Sequence, residues 1–288
     1  MDNRQLSNFL AIVEEGNISK AAERLHLAQP YLSHQLKLLE EELGVKLVDR
    51  TTRRFQITEA GMVLSYRARQ MLDLSEATIK ELKDFDSGFK GSLSIGCLTS
   101  LIETLLTEKI YEFNKLYPEI DFEVRQYSTI EILELLKRGI IEIGIIRSPL
   151  ISPDIFESIA LPMEPMLAAV SSEMKLKSNG KSISLEELAE IPLLVHRRYE
   201  RDIIDLFKSK GLEPRILCKI EDTRPLLMLA SKGMGAAIIP KDWTSLVPGS
   251  NLVFKTITGL NMDTGTIIVW LKDHYLTLAV RHFLKYFP

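Results

Sequence analysis

Apolar residues recur at helical spacing through the N-terminal part of the chain and predict three short helices there. The break at Glu15-Gly16-Asn17 separates the first helix from the second. Ser19 is placed to cap the second helix, whose Ala22 and Leu25 face inward. The apolar stripe of the first helix consists of Leu6, Phe9, Leu10 and Val13.

The third helix begins at Gln29-Pro30 and ends before Gly44. Proline suits a first turn because its missing N–H would be unsatisfied there, and glycine is typical of a helix end. Two short helices around a tight turn are the helix-turn-helix layout, in which the second helix enters the major groove. The core holds the stripe of Leu32, Leu36, Leu39 and Leu43. We therefore predict that DNA meets the opposite face, which carries Gln29, Pro30, Ser33, His34 and Lys37, together with Ser19 at the start of the preceding helix.

Beyond Gly44 the pattern changes to short extended segments on either side of a basic turn, Arg50-Thr51-Thr52-Arg53-Arg54. Such a hairpin predicts a wing. Arg50, Arg53 and Arg54 are expected to neutralise phosphates or enter a minor groove, which makes binding salt-dependent. Pattern alone leaves a plain helical bundle with a basic turn as the alternative.

Three segments carry a more specific resemblance. They read NISKAAERL at 17–25, AQPYLSHQL at 28–36 and LEEELGVKLVDR at 39–50, and TEAG follows at 58–61. Together they resemble the N-terminal signature of the LysR-type transcriptional regulators. The chain departs from that pattern at Tyr31, His34 and Val48, where family members often have a small residue, Arg and Phe. These departures bear on the preferred DNA sequence rather than on DNA binding itself.

A long helix is predicted from Thr58 to about Phe85, because Thr58 can cap it and proline is absent. It would be about 40 Å long. A stripe of that length requires a partner helix, unless the helix packs on its own domain. The resemblance implies a linker helix that pairs two subunits, followed by a hinge at Asp86-Ser87-Gly88 and Lys90-Gly91. The stripe consists of Leu64, Ala68, Met71, Leu72, Ser75, Ile79 and Leu82.

Strands and helices alternate in the C-terminal two thirds, in a βαβαβ pattern that predicts a parallel sheet and is followed by a second similar set. The resemblance implies two α/β subdomains like those of a periplasmic binding protein. We therefore expect a winged helix-turn-helix domain at 1–58, a linker helix at 59–87 and an effector-binding domain at 88–288. Subdomain I would comprise 91–161 and 264–288, and subdomain II would comprise 162–263.

Ligands of open α/β sheets bind beyond the carboxyl ends of strands, where helix N-termini favour anions. Hydroxyls, N–H groups and a nearby arginine suit a carboxylate, so we expect a small anionic metabolite as effector. The alternative is that the Ser and Thr residues are only helix caps. The candidate contacts are Thr99, Ser100, Ser128, Thr129, Arg147, His196, Arg197 and Thr223.

Composition excludes several classes of protein. The chain has 288 residues, a formal net charge of −3 and two cysteines without metal-ligand spacing. It lacks an apolar run of about 18 residues and a signal-peptide pattern at its start, so we expect a cytoplasmic protein with no membrane partner. Because the histidines lack a catalytic or metal-binding context, we expect no catalytic residue, no metal and no cofactor.

The predicted function is therefore an effector-responsive, sequence-specific DNA-binding transcriptional regulator. Its expected partners are double-stranded DNA, a small-molecule effector and further copies of itself in a dimer or tetramer. The resemblance also implies contact with RNA polymerase. An enzyme, or a DNA-binding scaffold that senses no ligand, are the alternatives for the same α/β domain.

Overall fold

The computed structural model describes residues 1–51, 54–87, 91–178, 180–260 and 262–287. Compact packing divides the chain into two units, the first comprising residues 1–88 with 137–140 and the second comprising 89–136 with 141–288. The elements of the first unit are α1 (Asn3–Glu15), α2 (Ile18–Arg24), α3 (Gln29–Leu43), β1 (Val48–Thr51), β2 (Arg54–Ile57) and α4 (Glu59–Ser87).

The core of the first unit forms where α1, α2 and α3 meet. Leu32, Leu36 and Leu39 are at most 2% exposed and pack with Phe9 and Ile12 of α1. Burial of these three leucines confirms the inward side of the third helix that the sequence predicts. Leu43 was expected to continue that stripe, but it is 37% exposed because the last turn of α3 extends past the core.

Local side-chain chemistry fixes the helix ends. Asn17, rather than the expected Ser19, caps α2, because its Oδ1 accepts hydrogen bonds from the N–H groups of Ser19 at 2.8 Å and Lys20 at 3.1 Å. Thr58 caps α4 as predicted and accepts from the N–H of Gly61 at 3.0 Å. Gly44 ends α3 at φ 69°, a left-handed conformation that glycine adopts without strain.

Helix α4 is covered over only part of its length. Leu64, Ala68 and Leu72 pack against Leu6 and Leu10 of α1. The continuation of the predicted stripe through Ile79 and Leu82 is exposed. The hinge predicted to begin at Asp86-Ser87 is wrong at those residues, since α4 continues through Ser87, and Gly88 and Lys90 lie outside the described residues.

The second unit alternates strands and helices. Its strands are β3 (Gly91–Cys97), β4 (Ile120–Gln126), β5 (Ile143–Arg147), β6 (Phe156–Ala160), β7 (Glu164–Ser171), β8 (Ser182–Ser184), β9 (Leu193–His196), β10 (Ile216–Ile220), β11 (Ala236–Pro240), β12 (Leu252–Thr258), β13 (Asp263–Thr264) and β14 (Thr266–Leu271). Its helices are α5 (Thr99–Leu101), α6 (Thr107–Leu116), α7 (Thr129–Lys137), α8 (Leu185–Glu190), α9 (Glu200–Ser209), α10 (Thr223–Ser231) and α11 (Leu278–Leu284). Ile102–Leu106 forms a π-helical turn, and Arg197–Tyr199 and Lys241–Leu246 form 3₁₀ turns.

In the described part of this unit the strands form two sheets. The five-stranded sheet has the order β4-β3-β5-β14-β6, and the seven-stranded sheet has the order β10-β9-β11-β7-β12-β8, with β13 paired to β7. The expectation of parallel pairing holds for β3 with β4 and β5, and for β9 with β10 and β11. It is wrong for β14, which runs antiparallel to β5 and β6, and for β7, which runs antiparallel to β11 and β12.

Each sheet has its own buried core. Ile95, Ile145 and Ile268 of the five-stranded sheet pack under Phe113 and Phe283 from the helices that cover it. The seven-stranded sheet buries a separate cluster that includes Trp243, which is 2% exposed. Each sheet is therefore packed on its own core, and the candidate effector residues lie at or just beyond the carboxyl ends of its strands.

Candidate DNA-binding surface and effector site

The outward face of α3 is polar and accessible. Gln29, Pro30, His34 and Lys37 are exposed and Ser33 is half-buried, all outside the buried stripe of leucines. Lys37 Nζ lies 3.3 Å from Glu41 Oε1, one helical turn on, in an exposed ion pair that a phosphate can replace at little cost. The face thus offers hydrogen-bonding groups and a cation to a groove.

Neighbouring residues extend this surface. Ser19 at the start of α2 is exposed. Arg4 of α1 places its guanidinium carbon 5.7 Å from the ring centroid of Tyr31, at the flank of α3. Arg4 was missed in the sequence, because nothing in the periodicity of α1 connects it with the third helix.

The wing is a short antiparallel hairpin. Strands β1 and β2 pair from Val48 with Ile57 to Thr51 with Arg54. The basic turn is shorter than predicted, since Arg50, Thr51 and Arg54 belong to the strands, and Arg53 lies outside the described residues.

Arg147 is the centre of the candidate effector site. It is the last residue of β5 and only 2% exposed. One terminal nitrogen forms an ion pair with Asp242, and the other donates to Thr266 Oγ1 at 3.2 Å. Arg147 Nε and Asp242 Oδ1 are buried and have no hydrogen-bond partner among the described residues. A guanidinium therefore lies at the strand end that the sequence indicated, with a carboxylate of the chain already bound to it.

Asp242 joins the two sheets. It follows β11 of the seven-stranded sheet, and its N–H donates to Glu164 Oε2 at 3.0 Å. Its Oδ2 accepts from Thr104 Oγ1 at 3.0 Å, and Thr104 follows β3 of the five-stranded sheet. Burial, and then the charge of Asp242, raise the pKa of Glu164 above its usual range, although Arg147 opposes the shift.

Two further arginines, which follow strands of the seven-stranded sheet, bind residues that end or follow strands of the five-stranded sheet. Arg198 Nη2 donates to the carbonyl oxygens of Arg147 at 3.1 Å and Ser148 at 2.8 Å. Arg224 Nε lies 2.9 Å from both carboxylate oxygens of Glu103. Together with Arg147 and Asp242, these contacts hold the strand ends of the two sheets against each other.

The remaining candidates after the strands of the five-stranded sheet differ in their availability. Ser100 is buried and Thr99 is half-buried. Ser128 caps α7, since its Oγ lies 3.4 Å from the N–H of Glu131, whose Oε2 accepts from Ser128 N at 2.9 Å. Thr129 Oγ1 is buried and has no hydrogen-bond partner in the described part of the chain. Thr129 is thus better placed than Ser128 to bind a ligand.

The candidates from the seven-stranded sheet also separate. His196 is half-buried, its ring centroid lies 5.2 Å from that of Trp243, and burial lowers its pKa. Arg197 is exposed and pairs with Glu221 at 3.7 Å, so it does not join the contacts around Arg147. Thr223 is 4% exposed, and Asp222 rather than Thr223 caps α10.

Sequence reasoning missed Asp242, Glu164 and Thr104. Asp242 could have been found, because it lies two residues beyond the end of β11 and the strand-end rule applies there as well. Glu164 begins β7, an antiparallel strand to which that rule does not apply.

Two classes of feature are not found in the described residues. None of the helices there is both long and apolar enough to cross a membrane. The same residues contain no group of three or more His, Cys, Asp or Glu side chains arranged to hold a metal ion.

Similarities to known proteins agree with this architecture. Residues 3–62 match the family described as bacterial regulatory helix-turn-helix protein, lysR family, and residues 86–288 match the LysR substrate binding domain. The chain is 31% identical to the HTH-type transcriptional regulator BsdA of Bacillus subtilis, with 100% of each covered. It is 27% identical to ClcR of Pseudomonas putida, covering 100% of this chain and 98% of ClcR.

Solved structures support the same assignment over the full chain. The crystal structure of full-length CbnR with its target DNA superposes with a TM-score of 0.78 at 27% identity, covering 100% of this chain and 99% of CbnR. A crystal structure of CbnR described as a LysR family transcriptional regulator superposes with a TM-score of 0.76. From the helix-turn-helix, the effector-binding domain and these matches, the chain belongs to the LysR family of DNA-binding transcriptional regulators.

Proposed function

We propose that the outward face of α3 reads the operator and that the wing binds the flanking backbone. The observation that carries this proposal is the orientation of α3, with its leucines buried and Gln29, Ser33 and Lys37 outside the buried stripe. Glutamine and serine can hydrogen-bond base edges, whereas lysine binds guanine or phosphate. The remaining proposed contacts are Ser19, Pro30, His34, Arg50, Arg53 and Arg54.

The effector site that we propose lies at the strand ends around Arg147, in a domain divided into subdomain I (91–161 and 264–288) and subdomain II (162–263). A small anionic metabolite suits a buried guanidinium and the unpartnered Thr129 hydroxyl. Its other proposed contacts are Thr99, Ser100, Ser128, His196, Arg197 and Thr223.

Regulation in this proposal comes from competition at Arg147. Because Asp242 already binds Arg147, an effector carboxylate that uses this guanidinium must displace Asp242 and so weaken one contact between the two sheets. An effector changes the equilibrium only by its different affinity for the two arrangements. The angle between the subdomains is the quantity that such binding would change.

Self-association through α4 completes the proposal. Met62, Val63, Tyr66 and Leu74 are each more than half exposed, on the side of α4 away from α1. An apolar stripe of this size on one helix is suited to the same helix of a second copy. A dimer, or a tetramer built from it, would place two recognition helices on one operator. In this proposal the assembly also contacts RNA polymerase. The protein acts in the cytoplasm and catalyses no reaction.

The decisive test is selection of DNA from a random pool by the purified protein, with and without a panel of small carboxylic acids. We expect recovery of a palindromic site, and a change in affinity or footprint with at least one acid. A pool that stays random contradicts the DNA proposal. A defined site that responds to no acid favours the non-sensing scaffold instead.

A further inference from the structure

We propose that Glu40 is a positioning residue for DNA binding, which sets the place of the wing relative to the recognition helix α3. It lies on the last turns of α3, about one turn beyond Lys37, and is 5% exposed. An almost fully buried carboxylate in so small a domain requires a specific set of partners.

Those partners all belong to the segment that leads into the wing. Glu40 Oε1 accepts from the N–H of Leu47 at 2.9 Å and from the N–H of Val48 at 3.2 Å. Its Oε2 accepts from Lys46 Nζ at 2.9 Å. Val48 is the first residue of β1, so one side chain of the recognition helix binds the base of the hairpin.

The carbonyl side of the same segment is bound by the start of α4. Thr58 Oγ1 donates to Lys46 O at 2.7 Å, and Thr58 N donates to Leu47 O at 3.1 Å. A Cβ at Gly61 would lie 2.2 Å from Leu47 O, so only glycine allows α4 to approach this closely. Residues 46–48 therefore join the recognition helix, the wing and the linker helix.

Charge makes the contact with Glu40 strong. Burial alone would raise the pKa of Glu40, but hydrogen bonds from Lys46 and from the backbone of Leu47 and Val48 outweigh burial and hold the pKa below its usual range. Glu40 is thus an anion at neutral pH, and charge-assisted hydrogen bonds are stronger than neutral ones.

The consequence for DNA binding follows from strand geometry. Arg50 lies two residues after Val48, and a strand rises about 3.3 Å per residue, so the base of the hairpin determines where the wing arginines reach. If Glu40 is lost, α3 keeps its leucine anchors and its reading face, whereas the wing loses its fixed position. Loss of Glu40 should therefore weaken the phosphate contacts of the wing while leaving the base contacts of α3 in place.

The test compares Glu40→Gln and Glu40→Ala with the wild type on the selected operator duplex, measured as affinity against salt. Each lost phosphate contact makes the negative slope of log K against log salt shallower by about 0.9. Loss of about two wing contacts would make the ratio of wild-type to variant affinity fall about 12-fold between roughly 50 and 200 mM salt. We expect this result for both Glu40 variants.

Two controls separate positioning from stability. Ile12→Val removes one methyl group from the same core but keeps Glu40 and its hydrogen-bond partners, and we expect it to keep the wild-type slope. Hydrogen exchange on the full chain should show faster exchange at Leu47 and Val48 in the Glu40 variants, with unchanged protection in α1. A wild-type slope or unchanged exchange in the Glu40 variants would overturn the proposal. So would failure of both variants to fold while Ile12→Val folds.

This inference rests on the proposed contact of the wing with DNA, and Arg54→Ala tests that contact separately. If Arg54→Ala leaves the slope unchanged, the proposed wing contact itself is wrong. If Arg54→Ala makes the salt dependence shallower but the Glu40 variants do not, the wing binds DNA and only the role of Glu40 is refuted.

Discussion

Replacing Asp242 by Asn tests how firmly the two sheets of the second unit are held together. The substitution keeps the volume of the side chain and one oxygen, but it removes the negative charge that pairs with Arg147. Arg147 is 2% exposed and Asp242 is 14% exposed at their side chains, so water cannot replace the missing charge. What is left is a buried guanidinium bound to Thr266 Oγ1.

The expected size of the effect follows from burial. Breaking a buried ion pair by removing one partner lowers the free energy of unfolding by about 3–5 kcal/mol. Glu164 remains close enough to influence the charge balance, so we expect the lower end of that range, about 3 kcal/mol. Glu103→Gln is the matched control, because it breaks the ion pair with Arg224, whose side chain is 56% exposed. Exposed pairs contribute little, and the control should unfold almost like the wild type.

Urea unfolding followed by tryptophan fluorescence measures this effect selectively. The chain has two tryptophans, Trp243 and Trp270, and both belong to the second unit. The transition therefore reports on that unit within the full-length protein. A loss of stability in Asp242→Asn no greater than in Glu103→Gln would refute the view that the buried pair holds the sheets together.

Three other substitutions test further parts of the account. Leu36→Ala, at a position 2% exposed, should lower the free energy of unfolding by about 2–5 kcal/mol, measured by circular dichroism. Leu38→Ala, at a position 38% exposed, should lower it by much less. Equal losses would contradict the assigned helix face. Glu164 has a raised pKa in the folded state, so its contribution to stability is present at low pH and is lost as pH rises through that pKa. Glu164→Gln should therefore gain stability relative to wild type from acidic to alkaline pH. A difference in the free energy of unfolding, taken from denaturation curves, that does not change with pH would refute this. Leu74→Lys should dissociate the proposed oligomer in analytical ultracentrifugation, whereas Glu76→Lys, about 200° round α4, should not. Unchanged assembly in both variants would exclude this stripe as the interface.

Much of the fold followed from local signals. Gly44 ends α3 and Thr58 caps α4, both at the residues where the sequence predicts these helix ends. Each of these features depends on a side chain and its immediate neighbours in the chain. The alternation of strands and helices in the C-terminal two thirds was likewise predicted, and β3, β5 and β9 are strands of that pattern.

What was missed depends on contacts distant in sequence. Strand β12 carries the buried Lys255 and pairs in register with β7, far earlier in the chain, and its sequence pattern does not reveal either partner. Arg147 and Asp242 are 95 residues apart in the chain, and their ion pair joins two sheets. Periodicity could locate the strand that ends at Arg147 and the strand that precedes Asp242, but it could not reveal the pairing. Ser19 was chosen as a cap because serine caps helices well, yet Asn17 is preferred, since its side chain reaches two N–H groups at once.

The most direct test of the central claim compares two glutamines on the same helix. Gln29 lies on the exposed face of α3, and Gln35 lies half-buried at its other flank. The quantity to measure is the affinity for the selected operator divided by the affinity for a mixed-sequence duplex at the same salt concentration. We predict that Gln29→Ala lowers this ratio by about 5- to 150-fold and that Gln35→Ala leaves it unchanged. An unchanged ratio in Gln29→Ala, or an equal loss in both variants, would contradict the assignment of the reading face.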